Sequence, residues 1–146
     1  MEFSFQDASD SGDVPGEDEI GQWLRAALEQ DGKLTVRLVD EQEMSKLNDR
    51  YRHKQGPTNV LSFPFEDPPG VRSGILGDIV ICAPVVRREA KEQNKTVQSQ
   101  WAHMVVHGVM HLQGYNHETG KEALEMEKRE TGVMKELGFP APYEEN

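Results

Sequence analysis

The distribution of strand-like and helix-like patterning along the chain predicts an α+β fold. Segments with period-two alternation or compact β-branched runs fall almost entirely before residue 83, whereas helical periodicity dominates after it. The helical segment near residues 97–113 is apolar on most of its surface, which places it inside a domain. No repeat and no domain boundary interrupts the 146 residues. One domain over 1–146 is therefore expected, with residues 1–20 acidic and partly flexible.

Each element has its own signal. Phe3 and Phe5 alternate with polar residues, a weak strand cue, and residues 7–19 are polar with Gly and Pro and read as a loop. Ile20, Trp23, Leu24, Ala27 and Leu28 mark one face of a helix that stops before Asp31 and Gly32. Leu34, Val36 and Leu38 alternate with Thr35, Arg37 and Val39 as a strand. Asp40 suits the N-cap of a helix over about residues 41–51, with Glu43 at the capping-box position. The β-branched and aromatic run 60–65 reads as a strand, and Pro64 within it implies a sheet edge or a strand end. A long loop over 66–74 precedes a strand over 75–83 that is apolar except at Gly77 and Asp78. Pro84 suits the first turn of a helix reaching about Gln93. A last amphipathic helix covers about 121–137, with Leu124, Met134 and Leu137 among its apolar positions, and Gly138 ends it.

The net charge of −10 argues against a nucleic-acid partner only until its distribution is considered. Residues 1–20 hold seven carboxylates and no Lys or Arg, and residues 118–146 hold eight carboxylates against four Lys/Arg. The two ends thus carry −11, and the body between them +1. Within that body, residues 46–95 carry nine basic against six acidic side chains, so RNA contact is permitted. The single cysteine, Cys82, leaves no disulfide framework and fits a reducing cytoplasm. No N-terminal basic segment precedes an apolar run and no apolar stretch nears 18 residues, so neither a signal peptide nor a membrane span is expected.

His107-Gly-Val-Met-His111-Leu-Gln-Gly114-Tyr-Asn-His117 carries the chemistry. Helical positions i and i+4 share a face, so His107 and His111 can reach one metal ion. Gly114 can adopt positive φ, end the helix and turn the chain so that His117 arrives as a third nitrogen ligand. Three imidazoles with a position left open match a catalytic zinc site rather than a closed structural one. One zinc per chain is expected, although imidazole also suits other divalent transition metals. His103 shares the same stripe, but it lies about 12 Å along the axis from His111, too far for a shared ion. It reads as a structural group or one that supports a ligand. Cys82 is a conceivable fourth ligand that would make the zinc structural. The spacing is that of the metzincin proteases, except that Gly108 stands where their glutamate base follows the first histidine.

Residues 51–59, Tyr-Arg-His-Lys-Gln-Gly-Pro-Thr-Asn, place cations and turn-forming residues before a strand. Arg52 offers a planar fork matched to phosphate oxygens, although a charged loop is ordinarily only solvated. Asp78 reads equally well as a carboxylate near the metal or as a locally satisfied strand residue. Arg87, Arg88, Lys91 and Lys95 read as an exposed basic helix face.

His-Gly-x-x-His-Leu-x-Gly-Tyr-x-His, preceded by Pro-Thr-Asn-Val-Leu-Ser-Phe and Gly-Asp-Ile-Val-Ile, resembles the YbeY family of bacterial metal-dependent endoribonucleases, the rRNA maturation factors. The likeness runs from about Leu34 to Leu137. It implies a small mixed β-sheet flanked by helices, with the metal-ligand helix buried in the core and a cleft beside the metal. It implies zinc ligation by His107, His111 and His117, and a catalytic role for Arg52. It further implies cleavage of single-stranded RNA in 16S rRNA 3′-end maturation and ribosome quality control. The partners implied are the small ribosomal subunit and a ribosome-assembly GTPase. Asn116 departs from the aspartate usual before the last histidine, keeping the acceptor oxygen but losing the charge. Two rival readings are a metallopeptidase whose base is Glu118 or Asp78, and a ribosome-assembly module that keeps zinc for shape.

Overall fold

The computed structural model describes residues 1–143. In chain order these form β1 (Glu2–Asp7), α1 (Glu17–Ala27), β2 (Lys33–Val39), α2 (Glu41–Arg52), β3 (Val60–Pro64), β4 (Ile75–Cys82), α3 (Ala83–Glu92), α4 (Val97–Leu112) and α5 (Gly120–Glu136). The strands make one sheet in the order β1-β2-β4-β3. β1, β2 and β4 are parallel, and β3 closes one edge antiparallel to β4. The fold is α+β with a four-stranded mixed sheet.

Alternation along the two inner strands divides the core. Leu34, Val36 and Leu38 of β2, with Ile79 and Ile81 of β4, belong to the larger core cluster that α1, α4 and α5 complete. Val39, Val80 and Cys82 face the other way, toward Met44 of α2. Residues 75–82 read as an almost continuous apolar run because β4 is covered on both faces. Pro64 ends the edge strand β3, where its missing N–H costs the ladder least.

α4 lies innermost among the helices, touching α1, α3, α5, β3 and β4. Trp101, Val105, Val106, Val109 and Met110 are fully or almost fully buried, and each such side chain stabilises the fold by about 1.5–3 kcal/mol. Thr96 starts the helix by accepting a hydrogen bond from the Ser99 N–H at 3.1 Å. The helix can lie this close to the sheet because residue 108 has no side chain. A Cβ there would stand 2.8 Å from Ile79 Cγ2. Ser62 Oγ adds a tie by donating to the Gly108 carbonyl at 3.0 Å.

Several local expectations change. α1 begins at Glu17, earlier than the apolar periodicity indicates, because Glu17, Asp18 and Glu19 suit the positive end of a helix. Asp40 occupies the N-cap of α2, but its carboxylate accepts from the Asp10 N–H at 2.8 Å instead of capping. Glu43 makes no capping box, since both its oxygens are taken by Arg37 at 2.7 and 2.9 Å. Leu124 is exposed, while Met126, Val133 and Met134 form the buried stripe of α5. The short first strand expected at Phe3 and Phe5 is present as β1, paired in register with β2, and Ser11 Oγ accepts from Arg87 at 2.7 Å. No helix among the described residues is long and apolar enough to cross a membrane.

Candidate metal centre

The end of α4 builds the site. Gly114 has φ +100°, and its N–H donates to the His111 carbonyl while the Tyr115 N–H donates to the Met110 carbonyl, both at 3.1 Å. These two bonds form a Schellman turn, which satisfies the last helical carbonyls and reverses the chain. The reversal brings His117 back beside the helix. Its ring centroid lies 5.2 Å from that of His107 and 4.9 Å from that of His111. One nitrogen from each of the three rings falls within 4.8 Å of the others.

Hydrogen bonds fix which nitrogens converge. His111 Nδ1 lies 2.9 Å from the Tyr115 carbonyl, an acceptor only, so Nδ1 carries a proton. His107 Nδ1 lies 2.8 Å from Glu130 Oε1 and donates to it. The two Nε2 atoms therefore point lone pairs at each other across 3.1 Å. Two lone pairs at that distance repel unless a cation lies between them. Burial is the main cause holding His111 down at about 4, below its usual 6.5, and the neighbouring His107 and His117 lower it further. His111 is thus a poor place for a proton near neutral pH, and the donor set fits a divalent metal ion.

Behind His107 stands Glu130, which sequence reasoning missed. Its carboxylate is fully buried and accepts from His107, from His103 Nε2 at 2.7 Å, and from the Tyr143 hydroxyl at 2.5 Å. Burial works to raise its pKa, but the hydrogen bonds from His103 and His107, with a smaller electrostatic contribution from the two rings, reverse this and hold it at about 2. Tyr143 is pushed up, first by burial and then by its bond to Glu130. A signal for Glu130 did exist in the sequence. It is a charged residue centred on the apolar stripe of Met126, Val133 and Met134.

A cleft of about 730 Å³ opens over the three histidines, between the end of α4 and the edge strand β3. Arg52 lines it, together with Thr58, Asn59 and Ser62. Arg52 is the last residue of α2, and His53 follows with φ +54°, a left-handed turn that leads the chain away from the helix. Among the described residues, none of those lining the cleft is a carboxylate.

The other sequence candidates fall elsewhere. Asp78 is exposed, and it lines a separate surface depression beside β1 and β2. Glu118 is exposed and does not line the cleft. Asn116 does line it, its side-chain oxygen accepting from the Glu118 N–H at 3.2 Å. Cys82 is buried in the α2-side cluster and stands outside the histidine group. Arg87, Arg88 and Lys95 are occupied by Ser11, Glu41 and the Pro142 carbonyl.

Residues 7–138 match the sequence model of the family described as Endoribonuclease YbeY. A relative from Methylococcus capsulatus bearing the name Endoribonuclease YbeY is 51% identical over 146 residues, spanning 99% of this chain and 97% of its own. The solution structure of a Thermotoga maritima protein, 25% identical, has a TM-score of 0.55 and covers 92% of this chain and 91% of that one. The chain belongs to the endoribonuclease YbeY family.

Proposed function

From that membership we propose that the protein is a single-domain, metal-dependent endoribonuclease that cuts phosphodiester bonds in single-stranded RNA. Its substrate in this reading is 16S rRNA, during 3′-end maturation and ribosome quality control. The small ribosomal subunit and a ribosome-assembly GTPase are its partners, and the cytoplasm its compartment. The carrying observation is the convergence of His107, His111 and His117 in one cleft with Arg52, with no carboxylate lining it among the described residues.

The residues divide the work. A divalent ion held by His107, His111 and His117, with zinc the first choice, would supply Lewis acidity toward a phosphate oxygen. Arg52 presents two parallel N–H donors to the same phosphate and balances the charge that grows on it during displacement. The Tyr115 carbonyl and the Glu130 carboxylate hold two of the three rings in one tautomer, so no reorientation is needed when the ion binds.

Gly108 speaks against the peptidase alternative. The residue after the first histidine faces Ile79 of β4 rather than the cleft, and a glutamate there could not be housed. Asp78 and Glu118 are also outside the cleft lining. RNA can dispense with such a base, since its own 2′-hydroxyl can serve as nucleophile, and a 2′,3′-cyclic phosphate end would identify that route.

The test is cleavage of a short single-stranded RNA by protein stripped of metal and then reloaded with zinc. Cleavage should depend on the ion, spare duplex RNA and vanish in Arg52→Glu, while that variant still binds one ion. Hydrolysis of casein without cleavage of RNA would overturn the reading.

A further inference from the structure

Glu130 is a buried carboxylate without a conventional counter-ion. Among the described residues no Lys or Arg forms an ion pair with it, and its polar partners are two imidazoles and one phenol. A buried carboxylate is destabilising unless charge and hydrogen bonds compensate. Three donors satisfy its oxygens here, yet none of the three carries a permanent positive charge. The missing charge has one open route. His107 bonds Glu130 through Nδ1 and presents Nε2 to the cleft, so a cation at Nε2 faces the carboxylate through one imidazole ring.

We infer that Glu130 is a positioning residue of the metal centre, fixing the tautomer of His107 and holding a buried negative charge against the ion. The inference rests on the metal-binding reading above. His103 and Tyr143 act one step further out. They saturate Glu130 Oε2, so the carboxylate cannot swing away from His107. Tyr143 lies beyond α5, and its hydroxyl thereby ties the segment after that helix to the site. The two ligands on α4 are supported unequally. His111 is oriented by a neutral carbonyl, His107 by a full charge. Loss of that charge weakens the ion's hold as well as the ring's orientation.

The experiment measures zinc binding by competition with a chromogenic chelator, on wild type, Glu130→Gln and Tyr143→Phe. Glu130→Gln keeps volume and an acceptor oxygen but removes the charge. Its Kd for zinc should rise about 10- to 100-fold at an unchanged stoichiometry of one, as for other residues that support metal ligands. Tyr143→Phe should raise Kd by less, in the same direction. Nitrogen-15 NMR of the zinc-loaded wild type should show His107 protonated at Nδ1 and metal-bound at Nε2. Wild-type affinity in folded Glu130→Gln, or a His107 proton on Nε2, overturns the inference. If Glu130→Gln does not fold, the tautomer and Tyr143→Phe decide, and a wild-type Kd in the latter counts against it. A wild type that binds no zinc sinks the metal-binding reading itself, an outcome distinct from unchanged affinity in the variants.

Discussion

On the cleft side of His107 stand His111 and His117, increasingly exposed, with no carboxylate lining the cleft among the described residues. On its other side stand His103, Glu130 and Tyr143, with the histidine buried and the carboxylate wholly so. His103, His107 and His111 fall in one row of the same helix, four residues apart. Spacing rules out one ion shared by His103 and His111, but it does not show what stands behind each ring. What separates them is the element facing each ring. α5 offers a charged acceptor to His103 and to the back of His107, while the turn after α4 offers His111 a carbonyl and leaves its other nitrogen to the cleft. The rear cluster is closed by hydrogen bonds. The front one is left open, as a reactive site must be.

The sharpest way to break this contrast is His107→Ala, because that residue belongs to both clusters. It should abolish one-to-one zinc binding and RNA cleavage. It should also destabilise the metal-free protein by about 1–3 kcal/mol, because a buried acceptor loses a donor. His117→Ala belongs to the front alone. It should cost binding and cleavage as severely, yet leave metal-free stability within about 0.5 kcal/mol. Equal unfolding midpoints in urea for the two variants would show that the clusters are not distinct.

Arg52→Ala should lower kcat by about 10²- to 10³-fold, as loss of one transition-state donor does, with zinc content unchanged by elemental analysis. Gly108→Ala tests the close approach of α4 to β4. The added methyl should cost about 1–3 kcal/mol in thermal or urea unfolding, the usual cost of overpacking a core. Stability like that of wild type would mean that the helix can back away from Ile79.

A further effect, and the one that separates the clusters by pH, concerns the metal-free protein. His111 holds its proton more weakly when folded, at about 4 against 6.5. Between those values the unfolded chain binds more protons, so stability should fall as pH drops from 6.5 toward 4. Glu130 ionises at about 2 against an ordinary 4.5, so its contribution is present above 4.5 and lost as pH falls toward 2. Urea midpoints measured in chelator should decline in two stages, the front cluster first and the rear second. His111→Gln should flatten the upper stage only, and a decline unchanged in that variant would reassign it.

Much of the fold was legible from local pattern. The spans of α4 and α5 and the sheet-edge character of Pro64 all follow from short-range periodicity or backbone chemistry. The His-x3-His spacing and Gly114 were enough to foresee three converging rings, because a helix repeat and a positive φ are local properties. Competition between distant partners is what local pattern misses. Glu43 sits where a capping box would form, but Arg37 on the preceding strand offers it a two-pronged ion pair instead. Leu124 has a plausible helical spacing and still faces solvent, since only the packing of α5 against α4 decides which stripe is covered.

The order of residues alone determined that one helix would be buried, that it would end in a reversing turn and that three imidazoles would meet there. Those outcomes rest on interactions within a few residues of each other, encoded by adjacency. The tertiary structure alone decided that the front of His107 opens on a cleft with Arg52 and its back on Glu130. It also decided that Asp78 lies elsewhere and that a side chain at residue 108 would press on Ile79. The physical reason is distance along the chain. Glu130 is 23 residues from His107, and Ile79 is farther still from Gly108, so neither contact exists until helix and sheet have packed.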